Sequence, residues 1–469
     1  MRNKTTIIHT GVSIATAVML TACGGGGSES SSNLTSGYPQ APTSCEIANQ
    51  RAWLRDYMND QYFWYDKQGA AKESSASMAE YLDALLFKPI DRYSFVSNKV
   101  QYVQITSENI RTGYGYTLIF ADAAKTTYQV LTVEPNGTAA AAGLKRGDTI
   151  VTINGLTSTQ IASGALLSVS TAGVLRSFVV KDTAGVQRSL SAMSAQYELS
   201  PVLATQILTA PAPANTKVGY LAYQSFVSYS EAALGQAINK FRDAGVTEVV
   251  LDLRYNLGGS VSVARKLASM LGGAELDGKL FADFRYSNKK SANNFSQTFT
   301  SSTSSLPAAP LPSLNRIVII TSGNTASASE LVLNSLKPFK TLVTVGATSL
   351  GKPFGFAPRE ACDLVYDVVN LEIFNANGVS VPTTGVPATC SAGDDLTRDL
   401  GDPAELRTAA ALNYIATGAC PPVATASQEK RESAASNNKL FAAGNSANVV
   451  LLDEDGRALP APREIAVNK

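Results

Sequence analysis

The 469-residue sequence predicts a multidomain α/β chain, and three changes of pattern along it carry that expectation. Residues 45–98 place apolar side chains at helical spacings, and residues 99–195 break into short runs with β character. Residues 215–420 then alternate strands with helices, the pattern of a layered α/β core. Length allows about three domains as a prior, and 45% hydrophobic residues is ample material for large cores.

The flanks differ from this middle. Residues 1–22 open with Arg2 and Lys4, run through the weakly apolar stretch 11–20 and reach Leu20-Thr21-Ala22-Cys23. The layout predicts a secretory leader, too short to span a membrane. Leu-Thr-Ala-Cys resembles a bacterial lipobox, which implies cleavage before Cys23 and acylation of that cysteine. Gly24 after the cysteine resembles the pattern sent to the outer membrane, facing the periplasm of a Gram-negative cell. Residues 23–44, rich in Gly, Ser, Thr and Pro, read as a disordered tether.

Cleavage there removes His9, the one histidine of the chain. A Ser-His-Asp triad, an HExxH zinc site and any His-ligated metal are thereby excluded within one chain, and no metal or organic cofactor is expected. The net charge of +1, with no long basic run, argues against nucleic acid as a partner. Beyond Cys23 stand Cys45, Cys362, Cys390 and Cys420, and an even count in an exported chain predicts two disulfides. Three connectivities are open; the favoured one joins Cys362 to Cys390 and Cys45 to Cys420.

Within residues 45–98, Trp53, Leu54, Tyr57, Met58, Tyr62 and Phe63 recur at three- and four-residue spacings, which predicts a small helical N-terminal domain with an aromatic core. The β runs that follow are 116–120, 128–133, 149–153 and 177–180, punctuated by the turns Glu134-Pro135-Asn136-Gly137 and Asn154-Gly155. The segment from Thr138 reads as a short helix closed by Gly143. Residues 113–190 resemble a PDZ domain, with Gly113-Tyr114-Gly115-Tyr116 at the carboxylate-binding loop and Ala142-Gly143-Leu144-Lys145-Arg146-Gly147-Asp148 in the signature position. The resemblance implies that a peptide tail is held as an added β-strand, its carboxylate met by backbone N–H groups of that loop. A purely structural β domain is the alternative.

In the α/β part, residues 217–223 form a strand, Ser230 caps a helix with Leu234, Ala237, Ile238 and Phe241 on one stripe, and Gly245 ends it. Residues 248–253 form a buried strand leading into Arg254-Tyr255-Asn256-Leu257-Gly258-Gly259. After residue 421 the composition relaxes, and the tail 421–469 is expected to be poorly packed.

Three segments carry chemistry together. Ser327 lies among small neighbours after the apolar run 316–320 and a hydroxyl-rich turn. Lys352 lies in Ser349-Leu350-Gly351-Lys352-Pro353, after the strand 342–345. The Gly258-Gly259 turn can aim backbone N–H groups at a shared point. With no imidazole, a lysine is the candidate base, provided burial lowers its pKa from about 10.4 toward roughly 7 to 8. Ser-Lys pairs are a known variant of triad logic.

From about residue 50 to 418 this arrangement resembles the C-terminal processing, or tail-specific, serine peptidases. The resemblance implies a crotonase-like layered catalytic core, Ser327 as nucleophile, Lys352 as base, and an oxyanion hole from Gly258 or Gly259 with the N–H of Ala328. It also implies unfolded or tail-exposed polypeptides as substrates. Many members carry a Gln four residues after the lysine, where this chain has Phe356; either another group orients Lys352, with Glu330 a candidate, or a dyad suffices. Glu330 otherwise reads as support for the first turn of its own helix. Asp394-Asp395 and Leu400-Gly401-Asp402-Pro403 read as a structural turn and helix cap. The rival reading is a non-catalytic, membrane-anchored lipoprotein that binds peptide or lipid on the same fold.

Overall fold

The computed structural model describes residues 41–106, 109–122, 124, 126–422 and 451–456. The leader, Cys23 and most of the expected tether lie outside these residues. The centre is a six-stranded sheet with the spatial order Cys390–Ser391, Leu342–Gly346, Arg316–Thr321, Glu248–Asp252, Lys217–Tyr223 and Val202–Thr209. The first five run parallel and the last is antiparallel. Helices cover both faces, so these strands are near-continuous apolar runs rather than alternating ones.

Alternate side chains divide between two cores. Leu221, Val249, Leu251, Ile317 and Ile319 pack under the helices Glu231–Ala244, Val261–Gly272 and Ala328–Leu336. Val218, Tyr220, Val250, Val318, Ile320 and Val345 pack against the helix Leu406–Thr417. A second sheet of four strands, ordered Phe295–Thr298, Leu280–Tyr286, Val369–Phe374 and Phe354–Phe356, adds Phe281, Phe284, Leu371 and Ile373 to the first core.

The N-terminal helices Ile47–Gln61 and Met78–Leu85 bury Trp53, Leu54, Tyr57 and Met58, as the periodicity predicts. This region is not purely helical. Its strand Phe95–Asn98 pairs antiparallel with Leu364–Asp367, which also pairs with Arg359–Ala361, so the N-terminal segment is woven into the α/β part of the chain. Residues 116–193 form a five-stranded antiparallel sheet in which Tyr116–Phe120 is an edge. Gly143 closes the helix Thr138–Ala141 at φ 89°.

The disulfide pairing differs from the expected one. Cys45 joins Cys362, and Cys390 joins Cys420. Cys45 sits just before the first helix, beside the hairpin turn that holds Cys362, because that hairpin belongs to the sheet completed by Phe95–Asn98. Cys420 follows the last helix, which returns the chain to the sheet edge at Cys390–Ser391; Cys420 Sγ lies 3.3 Å from the Thr389 carbonyl oxygen. The expectation for the tail is also corrected in part. Residues 451–456 pack on the 116–193 sheet, with Leu451 and Leu452 buried.

Candidate active site

Three neighbouring parallel strands, Glu248–Asp252, Arg316–Thr321 and Leu342–Gly346, each release a loop at their carboxyl ends. Such ends are where α/β sheets gather ligands. The three loops carry the Gly-Gly turn, Ser327 and Lys352.

Hydroxyls on both sides of Ser327 sew the first two loops together. Thr325 Oγ1 donates to the Leu253 carbonyl at 2.8 Å, Ser322 Oγ donates to the Arg254 carbonyl, and Ser329 Oγ donates to the Asn256 carbonyl at 2.9 Å. Ser327 itself is the N-cap of the helix Ala328–Leu336, at φ 59° and ψ −119°. A positive φ in a residue with a Cβ costs on the order of 1–3 kcal/mol and is held only when its surroundings over-determine it. A sharp strand-to-helix turn of this kind is how hydrolases expose a serine hydroxyl.

Gly258 lies directly against that serine. At its φ of +110°, a Cβ on it would fall 2.7 Å from Ser327 Cβ and 2.9 Å from Ser327 Oγ. Its own N–H donates to Asn256 Oδ1 at 2.9 Å, and Asn256 Nδ2 donates to the Tyr223 carbonyl at 3.0 Å. Gly258 is therefore not free to serve as an oxyanion donor. The neighbouring N–H of Gly259 has no backbone acceptor among the described residues. The N–H of Ala328, at the first helical position, has no intrahelical acceptor by construction.

Lys352 is fully buried, its Nζ over the Phe356 ring, 4.0 Å from the centroid. The N-terminal domain braces its loop: Arg92 Nη2 donates to the carbonyls of Leu350 and Thr383 at 2.9 and 2.8 Å, and Tyr93 Oη donates to the Gly351 carbonyl. Trp64 packs edge-on against Phe354, two residues beyond the lysine.

Glu330 is the knot between serine and lysine. Its Oε2 accepts from the backbone N–H of Ser327 at 3.0 Å and from that of Lys352 at 2.8 Å. Its Oε1 accepts from Gly351 N–H at 2.7 Å and from Ser349 Oγ. Two amides that share one oxygen can be no farther apart than those two distances combined, so the carboxylate fixes the spacing of the two backbones. Complete burial pushes the Glu330 carboxyl up from its ordinary range, against the four donors that favour the ionised form. The sequence offers Glu330 both as support for its own helix turn and as a candidate to orient Lys352; its carboxylate does both, bonding the backbone of the lysine loop through a contact that no local pattern encodes.

Behind the Gly-Gly turn, Arg254 is a buried hub. It bonds Asp252, Asp394 and Glu405, and Tyr255 Oη donates to Asp394. Arg146, from the PDZ-like signature, reaches the same Asp394 at 3.1 Å. Burial alone would raise the Glu405 carboxyl, but the guanidinium of Arg254 outweighs it and holds the group at about 2. Asp394 is thus structural, as expected, though its role is an inter-domain ion network rather than a simple turn. Among the described residues no group of three His, Cys, Asp or Glu is placed to hold a metal ion.

The expected peptide loop, residues 113–116, meets residues of the same chain. Tyr114 and Gly115 present their N–H groups, with Gly113 and the Tyr116 hydroxyl beside them, to the carboxylate and carbonyl of Glu454.

A strained serine, a buried lysine and a glycine turn thus meet at adjacent strand ends, in segments of the chain that match models of one peptidase family. Residues 217–390 match peptidase family S41, and residues 49–95 match the peptidase S41 N-terminal domain. The chain is similar to the chloroplastic C-terminal processing peptidase of Tetradesmus obliquus, 26% identical over 380 residues, covering 74% of this chain and 75% of that protein. It is likewise 26% identical over 291 residues to the chloroplastic carboxyl-terminal-processing peptidase 1 of Arabidopsis thaliana, covering 60% of this chain and 55% of that one. Among solved structures, a putative S41 protease from Bacteroides fragilis NCTC 9343 superposes with a TM-score of 0.64 at 26% identity, covering 78% of this chain and 97% of its own. These likenesses support a peptidase.

Proposed function

We propose that this chain is a serine endopeptidase of the tail-specific type, in which Ser327 is the nucleophile and Lys352 the general base. The observation that carries the reading is the shared Glu330 oxygen, which ties the strained N-cap serine to the buried lysine loop. Ser327 Oγ attacks the scissile carbonyl as its proton passes to the neutral amine of Lys352. Charge that develops on the carbonyl oxygen is met by the N–H groups of Gly259 and Ala328. Collapse of the tetrahedral intermediate breaks the C–N bond, Lys352 returns the proton to the leaving amine, and water then hydrolyses the acyl-serine by the same relay. Glu330 is a positioning residue for both.

The PDZ-like domain, in this reading, delivers unfolded or tail-exposed polypeptides by backbone pairing and carboxylate capture at residues 113–116. The Leu20-to-Cys23 motif supports a lipid anchor at Cys23 that holds the enzyme at the outer membrane, facing the periplasm; incorporation of labelled palmitate that survives Cys23→Ala would remove that part of the proposal. The catalytic part is tested by digestion of reduced, carboxymethylated casein. Cleavage is expected to vanish in both Ser327→Ala and Lys352→Ala, and unchanged cleavage in both would overturn the site.

A further inference from the structure

The 116–193 sheet ends on Tyr116–Phe120, an edge that would otherwise present unpaired backbone groups. In this chain the edge is covered by the chain's own residues 451–456. Leu118 N–H donates to the Leu452 carbonyl and Leu452 N–H to the Leu118 carbonyl, both at 2.9 Å, an antiparallel bridge. Two residues on, the Glu454 side-chain carboxylate enters the glycine-rich loop, where Oε2 accepts from Tyr114 N–H at 2.8 Å and Gly115 N–H at 3.0 Å.

The rest of the segment is equally well met. The Glu454 carbonyl accepts from Tyr116 Oη at 2.7 Å and from Arg176 Nη1 at 2.8 Å, and the buried Arg176 also pairs with Asp455 at 2.8 Å. Leu452 is buried in the domain's own core, beside Leu118 and Tyr128. Leu451 fills a cluster with Ile119 and Leu131 of the PDZ-like domain, Leu396, and Tyr255 of the Gly-Gly motif. One segment therefore shows added-strand pairing, carboxylate capture and side-chain burial together.

We propose that residues 451–456 are an intramolecular occupant of the peptide groove, with the Glu454 carboxylate in the place of a substrate's terminal carboxylate, so that a substrate tail engages only by displacing them. The inference rests on the peptide-delivery reading above and goes beyond it. It names the tails the groove accepts: an aliphatic side chain two positions before a carboxylate-bearing end, as Leu452 stands to Glu454. It also supplies a restraint on activity. A tethered occupant acts at a local concentration on the order of millimolar, so a free tail sees only the fraction of molecules whose groove is open. Because Leu451 belongs to the same buried cluster as Tyr255, displacement removes packing from around the motif that holds the oxyanion turn.

The test uses the full chain and a fluorescein-labelled peptide with the sequence of residues 447–454, its free carboxylate at the end corresponding to Glu454. Leu452→Asp combined with Glu454→Gln should release the segment and tighten peptide binding by at least about tenfold relative to wild type. Hydrogen exchange on the unaltered protein gives a second readout: Leu118 and Leu452 N–H groups are both protected, and saturating peptide exposes Leu452 while Leu118 stays protected. Equal, measurable affinities in wild type and variant, or an unprotected Leu452 without peptide, overturn the inference and leave peptide capture standing. No binding to either form overturns the groove reading itself, and with it this inference.

Discussion

Glu330 holds four donors with two oxygens, so its replacement exposes what the pairing is worth. Glu330→Ala leaves several buried N–H and O–H groups without acceptors, at about 1–3 kcal/mol each, and should lower the urea midpoint markedly while abolishing casein cleavage. Glu330→Gln keeps the volume but turns an NH2 group toward N–H donors; kcat should fall by roughly 100-fold or more with a smaller stability loss, because a displacement of about 1 Å is enough for that. Gly258→Ala is the sharpest steric case. Its Cβ would lie 2.7 Å from Ser327 Cβ at a φ that disfavours any side chain, so kcat should drop below detection while far-ultraviolet dichroism is preserved. Phe356 packs under the amine of Lys352, whose Nζ lies 4.0 Å from the ring centroid. Phe356→Ala should reduce kcat by roughly 10–100-fold with little change in KM, since it loosens the base and not the substrate contacts; an unchanged kcat would show that the ring does not position the amine.

At the level of elements, what could be read in advance was what lies contiguous in the chain. The strands Tyr116–Phe120, Tyr128–Val133, Thr149–Ile153, Lys217–Tyr223 and Glu248–Asp252 announce themselves as apolar runs between turn residues, and the three loops of the candidate site follow strands whose burial on both faces makes them nearly uninterrupted. What escaped was decided by distant contacts. The four-stranded sheet uses short, half-exposed strands such as Phe295–Thr298, whose register comes from their neighbours. The disulfide partners followed from the hairpin Arg359–Ala361 and Leu364–Asp367 meeting the N-terminal strand, which spacing alone does not encode. The tail at 451–456 has the composition of a polar terminus, yet two leucines and one glutamate suffice once an unpaired edge is available. The Cys45–Cys362 bond staples the N-terminal helices to that hairpin. Its removal by Cys45→Ser with Cys362→Ser should cost about 2–5 kcal/mol, read as a lower denaturation midpoint.

Across the whole molecule, the 116–193 sheet and the six-stranded α/β core meet through charge. Arg146, Arg254 and Arg407 surround Asp394, and Arg254 also holds Glu405. Burial disfavours the charge on Asp394, but the three guanidinium groups overcome it and leave that carboxyl well below its ordinary range, with Glu405 lowered to about 2 from 4.5. A carboxyl whose folded pKa is depressed contributes stability that is complete above its unfolded value and is lost as pH falls toward the folded one. The urea midpoint should therefore decline from about pH 5 down through pH 2, and Glu405→Gln should flatten that decline. In the proposed mechanism a lysine amine replaces imidazole as the activator of Ser327. Rapid mixing with a peptide p-nitrophenyl ester tests it most directly: the wild type should release a burst of one equivalent of p-nitrophenol as Ser327 is acylated, and Lys352→Ala and Ser327→Ala should each lose it. A full burst in both variants would contradict the account.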